Sequence, residues 1–341
     1  MNNSYFRNKI TILNIFLTFM IVLLHAKSPE RFGMELEVYP VIYAISMLCR
    51  VATPLFFFVS ALLFLKGCTF NDLERKYTSR IHSLLIPYVL WNVIFVVIFW
   101  FLAHVPAFSS KMHIGSILNT PKEIIIAIFN SYHTDLWFIR NLMFYILIVP
   151  VFLCIFKNKQ VSFFILVLLL CVAVYIEPEY KSLLRWLPIY YMGAMCGYYW
   201  DNHAIGAFIY GKHSKFFTFT SLLILSGLYL LSLWKNNDLY IIYASPLLIW
   251  FIVDGLLYKT IKNLKLKKWM NYMFFIFCTH HFVLNVLQKI VVLYCEPTRL
   301  VVYLTYLLSP IISILLLIKA AKVLSRYRFF KVLTGGRKLI Y

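Results

Sequence analysis

Four ionisable side chains suited to catalysis lie within long apolar stretches of this chain: His25, Arg50, Arg140 and His280. An imidazole exchanges a proton near neutral pH, and a guanidinium stabilises a developing negative charge. A charged or ionisable group is costly inside a membrane, so its presence there indicates a functional site. If the apolar stretches cross a membrane, these four residues are therefore candidates for a catalytic or binding site.

The stretches that must position these side chains have the length of membrane-spanning helices. Hydrophobic residues make up 62% of the 341 residues and charged residues only 13%. No water-soluble fold buries so much apolar surface. Runs of about 17 to 25 apolar residues indicate transmembrane helices. The sequence predicts an all-α polytopic membrane protein with about ten spans, near residues 10–26, 40–65, 84–103, 136–156, 161–176, 185–200, 216–234, 239–258, 269–294 and 300–317.

The distribution of charge orients these spans. If they alternate in direction, most of the 33 lysines and arginines fall on the side that holds both termini, so both termini are predicted to be cytoplasmic. The net charge of +20 then reflects anchoring to anionic lipid headgroups. We expect no nucleic-acid partner, because the basic residues are spread over separate loops. The first apolar stretch is predicted to be a retained helix rather than a signal peptide, and residues 1–341 a single membrane domain.

Several short motifs follow one another in a characteristic order. They are Val-Leu-Leu-His at 22–25, the Arg-to-Ser segment 50–60, the Arg-to-Pro junction 80–87, the His-to-Ile segment 133–139, Gly193 with Gly197, and the Ile-to-His segment 276–280. In these motifs the chain resembles the acyltransferase-3 family of integral membrane acyltransferases, over nearly its whole length. The resemblance implies transfer of an acyl group, usually acetyl, from a cytoplasmic coenzyme A thioester to a hydroxyl of an extracytoplasmic glycan or glycolipid.

The same resemblance implies the partners of such an enzyme. We expect acetyl-CoA as acyl donor and cosubstrate, and a surface or secreted glycan or a lipid-linked sugar as acceptor. The composition and the family suggest the inner membrane of a bacterium, where other polysaccharide-assembly proteins are candidate partners. We expect no metal, because no third histidine or carboxylate stands at the spacing of a zinc-ligand set.

His25 is the residue that the resemblance implies as catalytic. It follows Asn14 by eleven residues, about 16 Å along a helix, which places it near the outer end of the first span. It could act as general base or form a transient acyl-imidazole; the alternative is an interfacial histidine that caps a helix or contacts headgroups. The family usually has a basic residue where this chain has Asn14, so we expect Arg7, Lys9 or another cation to supply that charge, or the donor to be held differently.

Arg50 lies about ten residues into the second span and needs a partner, since arginine keeps its charge there. It could bind the phosphates or carbonyls of the donor, or stabilise the oxyanion of the transition state. The structural alternative is a pair with backbone carbonyls or with Asp254.

A compact polar and aromatic group surrounds the start of the fourth span: His133, Asp135, Trp137 and Arg140. We expect it to line the acceptor entrance, although Trp137 alone fits an interfacial aromatic belt. In the ninth span, His280 matches the family position and could support catalysis through a hydrogen bond. His280 and His281 point to different sides of a helix, so we expect at most one of them to line a shared cavity.

Two other functions fit the sequence. A transporter or exporter of a glycan or small anion would use buried Arg50 and His25 for substrate binding or proton coupling. Matching interrupted helices in two halves of the chain would support it, but the proline interruptions are not matched. A noncatalytic subunit in polysaccharide assembly is the second alternative, favoured by Asn14.

Overall fold

The computed structural model describes residues 3–104, 120–130, 136–200 and 215–336, which form helices and no strand. The α-helices are α1 (Asn3–Leu24), α2 (Ser28–Arg31), α3 (Pro40–Cys49), α4 (Ala52–Leu65), α5 (Leu73–Arg80), α6 (Ile86–His104), α7 (Pro121–Asn130), α8 (Trp137–Leu147), α9 (Val149–Ile155), α10 (Lys159–Ile176), α11 (Leu183–Tyr198), α12 (Lys215–Lys235), α13 (Leu239–Ile242), α14 (Ser245–Lys262), α15 (Met273–Tyr294), α16 (Arg299–Leu324) and α17 (Arg328–Leu333). A π-helical turn, Ile81–Leu85, joins α5 to α6.

Seven helical stretches in the described part of the chain are long and apolar enough to cross a membrane, and an eighth is reached if the bent pair of α8 and α9 forms one span. All ten apolar stretches predicted from the sequence fall on helical segments. Two of the predicted stretches, 185–200 and 239–258, are not among these eight. α11 is only 16 residues long, and α14 carries three charged residues, Asp254, Lys259 and Lys262. The protein is thus all-helical with several candidate spans.

α1 is the central helix of the bundle. It packs against α3, α4, α14, α15 and α16. Leu13, Leu17 and Ile21 recur every four residues and are buried, whereas Phe16 and Phe19 on the other side are exposed. This stripe has the period of one helix face, so α1 presents one face to the bundle along most of its length.

Proline interrupts three of the predicted spans, at Pro54, Pro150 and Pro246. Pro54 has no N–H to donate to the carbonyl of Arg50 four residues earlier, and the chain leaves the helix between α3 and α4 at Arg50 and Val51. Pro150 acts in the same way after Ile146, where α8 and α9 meet at 49°. The first break places Arg50 at the edge of a cavity.

Two glycines let α11 pack directly on α4. A Cβ added to Gly193 would collide with the carbonyl oxygen of Phe58, and one added to Gly197 with that of Leu62. Small residues at a spacing of four permit such close approach of membrane helices. This contact fixes α4, which supplies several residues of the site.

Candidate active site

Two histidines from distant parts of the chain are in hydrogen-bond contact. Nδ1 of His25, at the end of α1, lies 3.1 Å from Nε2 of His280 in α15. Nδ1 of His25 is also 2.9 Å from the carbonyl oxygen of Ile21, and Nδ1 of His280 is 2.7 Å from that of Phe277. Because a carbonyl oxygen only accepts, both Nδ1 atoms carry hydrogen. The single Nδ1 hydrogen of His25 is therefore shared between the carbonyl oxygen of Ile21 and Nε2 of His280, which leaves the basic lone pair of His25 on its Nε2.

His281 also contacts this pair but has a different position. The ring centroid of His281 lies 5.3 Å from that of His25. The ring centroid of His280 lies 5.1 Å from that of His25. His280 is only 1% exposed, whereas His281 lines the cavity beside His25. His280 is thus placed to orient His25, and His281 faces the cavity.

His25 opens into a cavity of about 450 Å³, called here the outer cavity. Its lining combines aromatic rings, two histidines and basic side chains: Ile21, Leu24, His25, Lys27, Arg31, Arg50, Thr53, Phe56, Trp137, Phe138, Tyr180, Lys181, Phe277 and His281. Polar groups that converge in a largely apolar cleft are typical of a ligand site.

Arg50 lies at the outer cavity and is held by Asp238. Its Nη1 is 3.3 Å from Oδ2 of Asp238, whose other oxygen accepts from buried Arg185. Arg50 therefore pairs with Asp238 and not with Asp254, the acid that the sequence suggested. Its side chain is 36% exposed. One buried carboxylate is shared by two guanidinium groups, so a positive charge remains at the cavity wall close to His25.

Tyr180 and Trp137 form another part of this wall. The Tyr180 hydroxyl lies 3.2 Å from that of Thr53, and its ring packs edge-on against Trp137 at 5.4 Å. Burial raises the pKa of the Tyr180 phenol, so the phenol stays protonated at neutral pH and can donate a hydrogen bond. Trp137 is buried within the protein, which excludes the interpretation as a lipid-interface belt residue.

The predicted entrance group is not a single cluster. His133 and Asp135 lie outside the described residues. Arg140 lines a separate lateral cavity of about 660 Å³ and donates to the side-chain oxygen of Asn141. Phe138 faces the outer cavity, and residues two apart on a helix point in nearly opposite directions. Arg140 therefore lines a different cavity from Trp137, and its place at an acceptor entrance stays a prediction.

Asn14 lines two further cavities on the other half of α1. The inner cavity, of about 340 Å³, contains Asn14, Thr18, Ser60, Arg80 and Ser83 among its lining residues. An entry cavity of about 370 Å³ adjoins it and contains Arg7 and Asn271. The buried side-chain nitrogen of Asn271 has no hydrogen-bond partner among the described residues. A buried hydrogen-bond donor without an acceptor favours a ligand that supplies a carbonyl or phosphate oxygen.

The cation that accompanies Asn14 is Arg80 or Arg7, and not Lys9. Nζ of Lys9 lies 2.6 Å from Oδ2 of Asp254, donates to the carbonyl of Trp250, and both charged side chains are only 1% exposed. The charge of Lys9 is thus paired with that of Asp254 inside the protein, and Lys9 lines none of the three cavities beside α1. Arg80 shares the inner cavity with Asn14, and Arg7 shares the entry cavity.

The model of the family described as an acyltransferase domain matches residues 7–319. The chain belongs to the acyltransferase-3 family. Neither the curated proteins nor the solved structures give a match. Family membership supports a membrane acyltransferase in general, and the long apolar helices agree with an integral membrane protein.

Within this acyltransferase-3 chain, sequence reasoning missed Asp238 and gave Arg80 no role of its own. Asp238 follows Asn236 and Asn237 in what reads as an ordinary polar loop, so nothing marked it as the partner of two arginines. Arg80 begins the motif at 80–87. The presence of Asn14 where the family usually has a basic residue was a signal that another cation, such as Arg80, could supply that charge. Arg80 directly precedes the π-helical turn Ile81–Leu85, and such turns are frequent at functional sites.

Proposed function

We propose that the protein transfers an acetyl group from acetyl-CoA on the cytoplasmic side to a hydroxyl of an extracytoplasmic glycan or lipid-linked sugar. In this proposal the ten helical segments all cross or enter a bacterial inner membrane, and both termini are cytoplasmic. The observation that carries it is the row of three cavities beside α1. Arg7 and His25 lie at its two ends, 18 residues apart, or about 27 Å along a helix. That length approaches the thickness of a bilayer's hydrocarbon core.

The donor fits the cytoplasmic end of this row. Arg7 and Arg80 would bind phosphate or carbonyl oxygens, and Asn14 and Asn271 would donate hydrogen bonds to them. The pantetheine arm would extend through the inner cavity and bring its thioester towards His25. Only the narrow arm needs to enter, because the nucleotide can stay at the basic cytoplasmic surface.

The acceptor hydroxyl attacks the thioester carbonyl carbon in the outer cavity. Nε2 of His25 takes the hydroxyl proton as the C–O bond forms, and Arg50 stabilises the oxyanion. The C–S bond then breaks, and the coenzyme A thiolate recovers the proton from His25. The products are the acetyl ester and the free thiol. A transient acyl-imidazole would use the same nitrogen.

The test is turnover in proteoliposomes with radiolabelled acetyl-CoA and candidate glycans. We expect thioester loss and label transfer by the wild type, and a loss of at least about 100-fold in the His25→Ala variant. Gln160→Ala is the control, since Gln160 on α10 is exposed and lines none of the four cavities. Absence of turnover in folded wild type would favour the transporter or the noncatalytic alternative.

A further inference from the structure

Three phenylalanines separate the inner cavity from the outer cavity. Phe56 of α4, Phe138 of α8 and Phe277 of α15 line both cavities. The ring centroids of Phe56 and Phe138 are 5.9 Å apart, those of Phe138 and Phe277 are 5.9 Å apart, and those of Phe56 and Phe277 are 6.4 Å apart. Each ring thus contacts the other two at the usual distance of an aromatic pair. We call these three residues the aromatic septum.

The septum divides two chemically different compartments. Asn14 and Arg80 lie on one side of it, and His25 and Arg50 on the other. Each of its rings is partly exposed, as expected for side chains that face open cavities rather than a filled core. Any group that travels from the inner cavity to His25 along α1 must therefore pass these rings.

Two contacts fix the septum to its surroundings. Phe138 packs on the fully buried ring of Phe57, with centroids 4.3 Å apart. The carbonyl oxygen of Phe277 accepts the hydrogen bond from Nδ1 of His280, and the two rings lie 6.2 Å apart. The backbone that carries one septum ring therefore also orients the histidine pair.

We propose that the aromatic septum determines which acyl groups reach His25 and prevents water and protons from passing between the compartments. This inference rests on the proposed acyl transfer. An acetyl group needs only a small displacement of the rings, whereas each added methylene needs a wider opening in a closely packed layer. The septum therefore favours short acyl chains.

The selectivity test compares acetyl-, butyryl- and hexanoyl-CoA as donors for the wild type and for Phe→Leu and Phe→Ala variants at positions 56, 138 and 277. We expect the hexanoyl-to-acetyl ratio of kcat/KM to rise at least about tenfold in the alanine variants, which is about 1.4 kcal/mol of discrimination. The leucine variants should fall between, and they keep the experiment decisive if an alanine variant does not fold. Phe163→Ala is the control, since Phe163 on α10 is 63% exposed and lines none of the cavities. An unchanged ratio in folded variants overturns the selectivity role.

A second measurement does not depend on acyl transfer. Proteoliposomes that contain a pH-sensitive dye report proton leak, which we expect to be low for the wild type and Phe163→Ala and at least about fivefold higher for the alanine variants of the septum. Proton leak through the alanine variants, together with no acyl-CoA turnover by the wild type, would support the proposed role of the septum and reject the proposed transferase. Turnover with neither altered selectivity nor leak in the variants would reject the septum and leave the transferase in place. Absence of turnover and of leak would reject both.

Discussion

His25 donates a hydrogen bond from Nδ1 to Nε2 of His280 over 3.1 Å, across 255 positions of the chain. The orienting partner of a catalytic histidine is more often a carboxylate, which carries a full negative charge. A neutral imidazole avoids placing that charge in a membrane-embedded site. The arrangement still fixes the tautomer of His25 and stabilises its imidazolium when Nε2 takes up a proton. His280 is a positioning residue in this scheme.

Replacing His280 should separate its orienting role from a purely structural one. We expect His280→Leu to lower kcat by about 100-fold, because the His25 Nδ1–H keeps only the Ile21 carbonyl as acceptor and the ring loses its contact with α15. His280→Gln should retain much of the activity, since a side-chain carbonyl oxygen can accept the same bond. Equal activities for both variants would contradict this role.

The sequence predicted the helices and the residues with the strongest motifs, but not their partners. His25 and Arg50 were identified because charged or ionisable groups stand out in apolar runs, and both line the outer cavity. The contact of His25 with His280 depends on how α1 packs on α15, which periodicity alone does not determine. No local sequence pattern marks Asp238, because an aspartate is common in a polar loop. The same reasoning offered Asp254 as an alternative partner of Arg50, whereas the fold pairs Asp254 with Lys9.

The position of Arg50 predicts a change in kcat rather than in donor binding. It shares a cavity with His25 and not with Asn14. We expect Arg50→Gln to lower kcat by about 10²- to 10³-fold, as for the loss of an oxyanion-stabilising group, with the KM for acetyl-CoA unchanged within about twofold. Steady-state kinetics at varied acetyl-CoA measure both quantities.

Asp238→Asn tests how Arg50 is held in place. It should give a smaller loss of kcat, because Arg50 keeps its charge but loses its ion pair. Arg326→Ala, an exposed arginine remote from the cavities, should behave as wild type. A rise in KM with unchanged kcat for Arg50→Gln would instead assign Arg50 to the donor.

Arg80 should determine donor affinity. Arg80→Ala removes the cation that shares the inner cavity with Asn14, and we expect KM for acetyl-CoA to rise about tenfold or more, as for a lost hydrogen bond to a charged group. Asn14→Arg adds a cation to the same cavity and should partly restore the affinity in the Arg80→Ala background. Binding of desulfo-CoA by isothermal titration measures this without turnover. If Asn14→Arg further weakens binding in that background, the inner cavity does not hold the anionic donor.

The buried pair of Lys9 and Asp254 predicts an effect on stability with little effect on chemistry. Tyr5 also donates to Asp254 over 2.8 Å, and the Lys9 ammonium lies 3.4 Å from the centroid of the Trp250 ring. Lys9→Met leaves a buried carboxylate without its cation and should destabilise the protein by about 3–5 kcal/mol. The double variant Lys9→Met with Asp254→Leu should recover much of this loss, since two apolar side chains can replace a buried ion pair.

Unfolding midpoints of the detergent-solubilised variants measure this difference. Arg75→Met breaks an ion pair with Asp72 whose arginine is 79% exposed, and its midpoint should match that of the wild type, because exposed pairs contribute little. The double variant should retain wild-type KM for acetyl-CoA, because Lys9 lines neither cavity of the donor. If the double variant folds normally but loses donor affinity, Lys9 supplies the charge that Asn14 lacks, and the assignment of that role to Arg80 and Arg7 is wrong.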